Sequence, residues 1–285
     1  MRNATRIFYN RVPKCGSSFT IEALKLAQKR YDRFHQIHSK IFIKHERINE
    51  QKTLEFMTSI DELDRNGKPW VFDRHLHFID FTKYNRVNPL YINIVRKPID
   101  RFLSYYYFIR QADFIYKMET PRRNMTFEEC VYSNHSECST EGAFQDGSIP
   151  YFCGQAEICT KPTREAVALA KKNINQYFGV VALNEDLLNS LALLEQTTPD
   201  VFRGLTNIAA SMINKKINKA STTHKRPPEA VRIMEERLAL ENEFYAFVKQ
   251  RYLLFKEHFQ TERFVLENVR LIKQATQTVP PSTAI

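Results

Sequence analysis

The 285-residue chain is first defined by what it lacks. No apolar run approaches the ~20 residues that a membrane-spanning helix needs. The N-terminus does not read as a signal peptide. On these grounds the chain is either cytosolic or a fragment without its targeting segment. There are no internal repeats, which excludes solenoids and propellers. The order G-x-x-x-x-G-K-[ST] is absent, so a Walker-type nucleotide site is not expected. The C-x-x-C spacing of zinc ribbons is missing, which disfavours a four-cysteine metal site. Acidic charge is in deficit: 42 Lys and Arg face 32 Asp and Glu, a net charge of +10. Such a surface suits an acidic partner, whether nucleic acid, an anionic membrane or an acidic polysaccharide.

Five cysteines are present. Cys130 and Cys138 lie eight apart, and Cys153 and Cys159 six apart, all in loop-like sequence. They read as two small disulfide loops and one free thiol, Cys15. Loops of this size stabilise by roughly 2–3 kcal/mol each on the chain-entropy model. Glycosylation sequons begin at Asn3, Asn124 and Asn134. Together these features favour a secretory, oxidising compartment.

Strands are expected at 6–12, 69–78, 90–96 and 179–183. The third, LYINIV, is a continuous apolar run, as a strand buried on both faces requires. Helical patterns occupy 17–30, 44–63, 100–110, 163–178 and 185–197. Alternation of this kind predicts an α/β domain, a parallel sheet covered by helices on both faces. The domain runs over 1–274, with a stapled irregular insertion at about 111–162 and a disordered tail at 275–285. Residues 228–259 read as one long helix, its apolar stripe interrupted by Glu241. That stripe packs on the parent core or against a second subunit.

Chemistry concentrates in YNRVPKCGSSFT, a strand-to-helix junction. A helix N-terminus offers unpaired N–H groups to an anion. Gly16 allows close approach, Ser17 and Ser18 add donors, and Lys14 adds a cation. The alternative is a plain βα turn with Ser17 as N-cap. Arg96, which ends the apolar strand, and Ser104, in the following helix, form a second anion-binding pair near a strand carboxyl end. The alternative there is an Arg96–Asp100 ion pair. In FDRHLHF, Asp73, His75 and His77 alternate onto one face. They suit a general base at His75, a zinc site, or a polar strand end with satisfied imidazoles.

Five stretches carry a wider likeness: YNRVPKCGSSFT, RHLHFIDF, YINIVRKPIDRFLSYYYFIR, IPYFCGQ and ENEFYAFVK. In that order and spacing they resemble the glycosaminoglycan uronyl 2-O-sulfotransferases, both the heparan sulfate and the uronyl (dermatan/chondroitin) types. The resemblance implies a sulfotransferase α/β fold related to nucleotide kinases. It implies 3′-phosphoadenosine 5′-phosphosulfate as donor, without a metal. It places the 5′-phosphosulfate on Lys14, Cys15, Gly16, Ser17 and Ser18, and the 3′-phosphate on Arg96 and Ser104. Thr222 and Lys225 match a loop closing over the nucleotide, His75 the base, and Arg11 a substrate-contacting arginine. The two cysteine spacings match the family's disulfides. Heparan-type enzymes carry a histidine where this chain has Asp73.

The same resemblance implies an acidic polysaccharide partner, with no nucleic acid, and allows a homotrimer. It implies a Golgi-lumenal protein of type II topology whose anchor lies outside this chain. Three other readings remain beside it: a metal-dependent hydrolase built on Asp73, His75 and His77, a non-catalytic heparin-binding protein, and a cytosolic nucleotide kinase.

Overall fold

The computed structural model describes residues 4–39, 47–64, 67–110, 120–214 and 225–277. Five strands form one sheet: β1 (Arg6–Asn10), β2 (His35–His38), β3 (Trp70–Arg74), β4 (Leu90–Val95) and β5 (Phe178–Leu183). Their order is β2-β3-β1-β4-β5, and every pairing is parallel. The α/β class expected from the alternation is what the chain adopts. β3 and β5 are buried along their whole length, so both sheet faces are covered. Three helices matter for the site: α1 (Ser17–Tyr31), α2 (Glu50–Asp64) and α3 (Pro98–Phe108).

The strand order creates a crevice. From β1 the chain turns through α1 toward β2; from β4 it turns through α3 toward β5. β1 and β4 are neighbours, so the loops leaving their carboxyl ends part company there. Open α/β sheets bind ligands at such a switch point. Aromatic packing holds the two strands in place: Phe8 stacks on Tyr91, ring centres 5.2 Å apart. Under the crevice the Asn93 amide donates to the Asn10 carbonyl at 2.6 Å, and the Asn10 amide donates to Tyr151 O at 2.8 Å.

β2 was not among the expected strands. Its four residues, His-Gln-Ile-His, carry no strand pattern; pairing with β3 makes them one. α2 begins at Glu50, later than the expected 44. Where irregular chain was expected in 111–162, the described part forms short helices, including Thr120–Asn124, Phe127–Tyr132 and Ile149–Cys153. Both disulfides close there, Cys130–Cys138 and Cys153–Cys159, with Cα separations of 5.8 and 5.5 Å. A four-cysteine zinc site is thereby overturned, because disulfide sulfurs are not thiolates.

The expected single helix over 228–259 is two, Pro228–Arg237 and Ala239–Gln277. The reason is that they serve different cores. Met234 and Leu238 pack with Phe102, Phe127 and the Cys130–Cys138 bridge in a satellite cluster. Phe244, Val248 and Tyr252 pack in the main core. One straight stripe cannot face both, so the axis breaks at Leu238. Glu241 then turns inward and accepts the N–H groups of Ser148 and Ile149, both at 2.9 Å. The second helix runs to Gln277, three residues into the stretch expected as tail. The rest of that tail, 278–285, lies outside the described residues. No helix among the described residues is long and apolar enough to cross a membrane.

Candidate active site

The loop after β1 is built to hold a negative charge. Lys14 and Gly16 both take left-handed backbone angles, φ 65° and 79°. Gly16, not Ser17, is the N-cap of α1, and no side chain caps the helix. The first N–H groups of α1 therefore face the cleft without an internal partner. A Cβ on Gly16 would overlap the Asn184 amide oxygen and would be strained at this positive φ, so glycine is favoured at this turn. Lys14 rests its ammonium 3.8 Å from the Phe108 ring centre. Burial first, and the Arg96 charge second, hold its pKa below the usual lysine value.

Arg96, just past β4, reaches across and donates through Nη1 to the Lys14 carbonyl at 3.3 Å. The alternative Arg96–Asp100 pairing does not form: Asp100 instead binds Arg226 Nη2 at 2.5 Å. A cleft of about 330 Å³ brings together Arg11, Lys14, Gly16, Ser17, Ser18, His75, Arg96 and Ser104. Asn184 and Phe108 complete its wall and were missed from sequence. Asn184 follows β5 at the same sheet edge, a place that strand-end position alone could have marked.

His75 lies beyond β3, buried, with Nδ1 2.8 Å from the Arg11 carbonyl. A carbonyl only accepts, so Nδ1 carries the proton and Nε2 keeps its lone pair. Burial, then the Arg11 charge, press the imidazole pKa from 6.5 to about 4. At neutral pH it is an uncharged base.

Comparisons with known proteins place the chain that carries this cleft. A model described as the sulfotransferase family matches residues 1–248. The chain belongs to the sulfotransferase family. Human uronyl 2-sulfotransferase is 34% identical over 267 residues, covering 90% of this chain and 64% of that protein. Heparan sulfate 2-O-sulfotransferase 1 is 35% identical over 269 residues in both Xenopus laevis and Gallus gallus, covering 90% of this chain and 73% of theirs. The chain thus spans under two thirds of the length of the human uronyl relative.

Within this family frame, some expected residues sit apart from the cleft. The Cys15 side chain points into the core, and burial pushes its thiol up to about 12, so only its main chain is available to a ligand. Lys225 is exposed, and its carbonyl accepts from Tyr107 of α3 at 3.3 Å. Thr222 and Asn3 lie outside the described residues; Asn124 and Asn134 are exposed.

The Asp73, His75 and His77 metal site does not assemble. Among the described residues, only Cys130, His135 and Glu137 gather three ligand-type atoms, and Cys130 is disulfide-bonded. Asp73 faces the other way, 2.8 Å from Arg11 Nε and 2.8 Å from His38 Nδ1. His77 packs edge-on against Tyr151 at 5.0 Å. Arg11, expected to meet substrate, lines the cleft, and its Nε also lies 2.8 Å from Asp73 Oδ1.

Proposed function

We propose that the chain transfers a sulfuryl group from 3′-phosphoadenosine 5′-phosphosulfate to the 2-hydroxyl of uronic acid residues in a glycosaminoglycan. One observation carries this reading: an uncharged imidazole with its Nε2 lone pair free shares a cleft with an uncapped helix N-terminus and two cations, Lys14 and Arg96.

The cradle fits the donor. Glycine at 16 leaves room for a phosphate against the α1 N–H groups, and Ser17 and Ser18 add hydroxyl donors. Arg96 and Ser104 stand on the next strand end and helix, where they hold the 3′-phosphate. Arg226, paired with Asp100 of α3, and Lys225, whose carbonyl accepts from Tyr107, lie against the helix that carries Ser104. The donor supplies an activated sulfuryl group with a nucleotide bisphosphate as leaving group. His75 Nε2 takes the hydroxyl proton as the acceptor oxygen bonds to sulfur. Lys14 lies where its charge offsets that developing on the bridging oxygen as the sulfur–oxygen bond breaks. To do so its ammonium leaves the Phe108 face. Positioning and field supply the catalysis.

The net charge of +10 suits a polyanionic acceptor. Two disulfides and exposed sequon asparagines suit the Golgi lumen. The test is a radiolabelled sulfate-transfer assay on desulfated heparan, dermatan and chondroitin, with disaccharide analysis. Label on the uronate 2-position is expected, and His75→Ala should abolish it. Oligosaccharide binding with no transfer to any acceptor would leave only a heparin-binding protein.

A further inference from the structure

The His75 tautomer depends on a carbonyl, and a carbonyl in a loop must itself be held. Arg11 leaves the β1–β3 ladder just above Asn10. Its N–H donates to Arg74 O at 2.9 Å, which extends the strand pairing by one bond. Its side chain runs to the opposite side and meets Asp73, with Nε 2.8 Å from Oδ1. Asp73 is completely buried and Arg11 almost so. The same carboxylate receives His38 Nδ1 at 2.8 Å and Gln36 Nε2 at 3.5 Å, both from β2. Asp73 therefore sits at the meeting of three strands, opposite Tyr9 on one side and His38 on the other.

Two buried groups of opposite charge do not come together by default at a strand end. Their desolvation is repaid only when geometry is good and both partners are present. Here the pair is spent on one residue whose carbonyl touches the base.

We propose that Asp73 is the positioning residue for the His75 base, acting through Arg11. The carboxylate fixes the Arg11 side chain and Arg74 fixes its N–H, so the Arg11 carbonyl has one place to point. That carbonyl keeps the proton on His75 Nδ1 and leaves Nε2 facing the cleft. The inference rests on the reading of His75 as general base.

The test uses the full chain. In Asp73→Asn the side chain keeps its shape and loses its charge. We expect kcat to fall on the order of 10²-fold, within the range that a general base contributes. Affinity for adenosine 3′,5′-bisphosphate should change less than about threefold, because Asp73 does not line the donor cleft. Nitrogen-15 NMR of the His75 ring should show the Nδ1–H tautomer in the native chain and a mixture in Asp73→Asn.

Arg11→Gln and the Asp73→Asn/Arg11→Gln double variant complete the cycle. The double variant holds no unpaired buried charge, which guards against a mere folding failure. If Asp73 acts through Arg11, the double variant loses no more activity than Asp73→Asn alone. Multiplying losses, or an unchanged tautomer in Asp73→Asn, overturn the proposal. Failure of the sulfotransfer reading would show separately, as native chain without transfer, while the tautomer measurement stands on its own.

Discussion

A Cβ on Gly16 would occupy the space of the Asn184 amide oxygen. The loop after β1 and the turn after β5 thus meet closely enough that a methyl group on residue 16 would displace the Asn184 amide. Gly16→Ala adds that overlap to a left-handed backbone, which costs about 1–2 kcal/mol for a residue with a Cβ. Affinity for adenosine 3′,5′-bisphosphate should fall at least about tenfold by calorimetry, with a lower melting temperature. Native affinity in this variant would mean that the nucleotide does not use the α1 N-terminus.

On the proposed reading Lys14 and Arg96 divide the donor between them, so their losses should look different. Arg96→Ala should raise the donor KM on the order of tenfold or more with a smaller change in kcat, as expected for a binding contact. Lys14→Ala should lower kcat as well, because its charge is aimed at the leaving oxygen. Steady-state kinetics with varied donor checks the split. Equal effects on KM alone would remove Lys14 from the chemistry.

Acceptor binding should be strongly salt-dependent, since a polyanion sheds counterions on binding a cationic protein. The logarithm of the heparan binding constant should fall linearly with the logarithm of salt concentration. A flat plot would argue against a polyanionic acceptor.

Stability should decline as pH falls from about 6.5 to 4. The buried imidazoles of His75 and His77 both have pKa values lowered from 6.5 to about 4. Burial is the main cause, with Arg11 adding to it at His75 and Arg47 at His77. In that window the unfolded chain takes up protons that the folded protein refuses, so folding loses ground; above it the neutral forms bring no penalty. The ceiling is about 3 kcal/mol apiece. His77→Phe, which keeps a ring against Tyr151, should flatten urea midpoints across this range. Parallel curves for the two proteins would refute the assignment to His77.

Glu241 carries a different kind of weight. It is buried beside the wholly buried Arg101, whose charge opposes the upward push of burial on the Glu241 pKa. It also accepts the main-chain N–H groups that start the Ile149–Cys153 helix. Glu241→Gln removes a negative charge that Arg101 feels through space and turns an amide toward two donors. A loss of roughly 1–3 kcal/mol is expected in chemical denaturation, because the amide can accept from only one side. A loss under about 1 kcal/mol would show that the amide serves the Ser148 and Ile149 N–H groups as well as the carboxylate does.

Local pattern alone determined much of this protein. The continuous run of β4, the strand–loop–helix around Lys14 and the periodicity of α1 and α3 are short-range features, and propensity and burial decide them within a few residues. The residue types of the cleft were legible for the same reason, since Lys14, Gly16, Ser17 and Ser18 are one local motif. The tertiary structure decided the rest, because the rest depends on groups distant in sequence. β2 is a strand only because β3 offers it partners. Gly16 displaces Ser17 as the cap because the chain enters α1 through a left-handed turn at residue 16, against Asn184 from the far end of the sheet. The helix at 228–259 breaks because two cores claim its two halves. Asp73 turns from His77 to Arg11 because buried charge must find its opposite, and where that opposite lies follows from strand order, which periodicity does not encode.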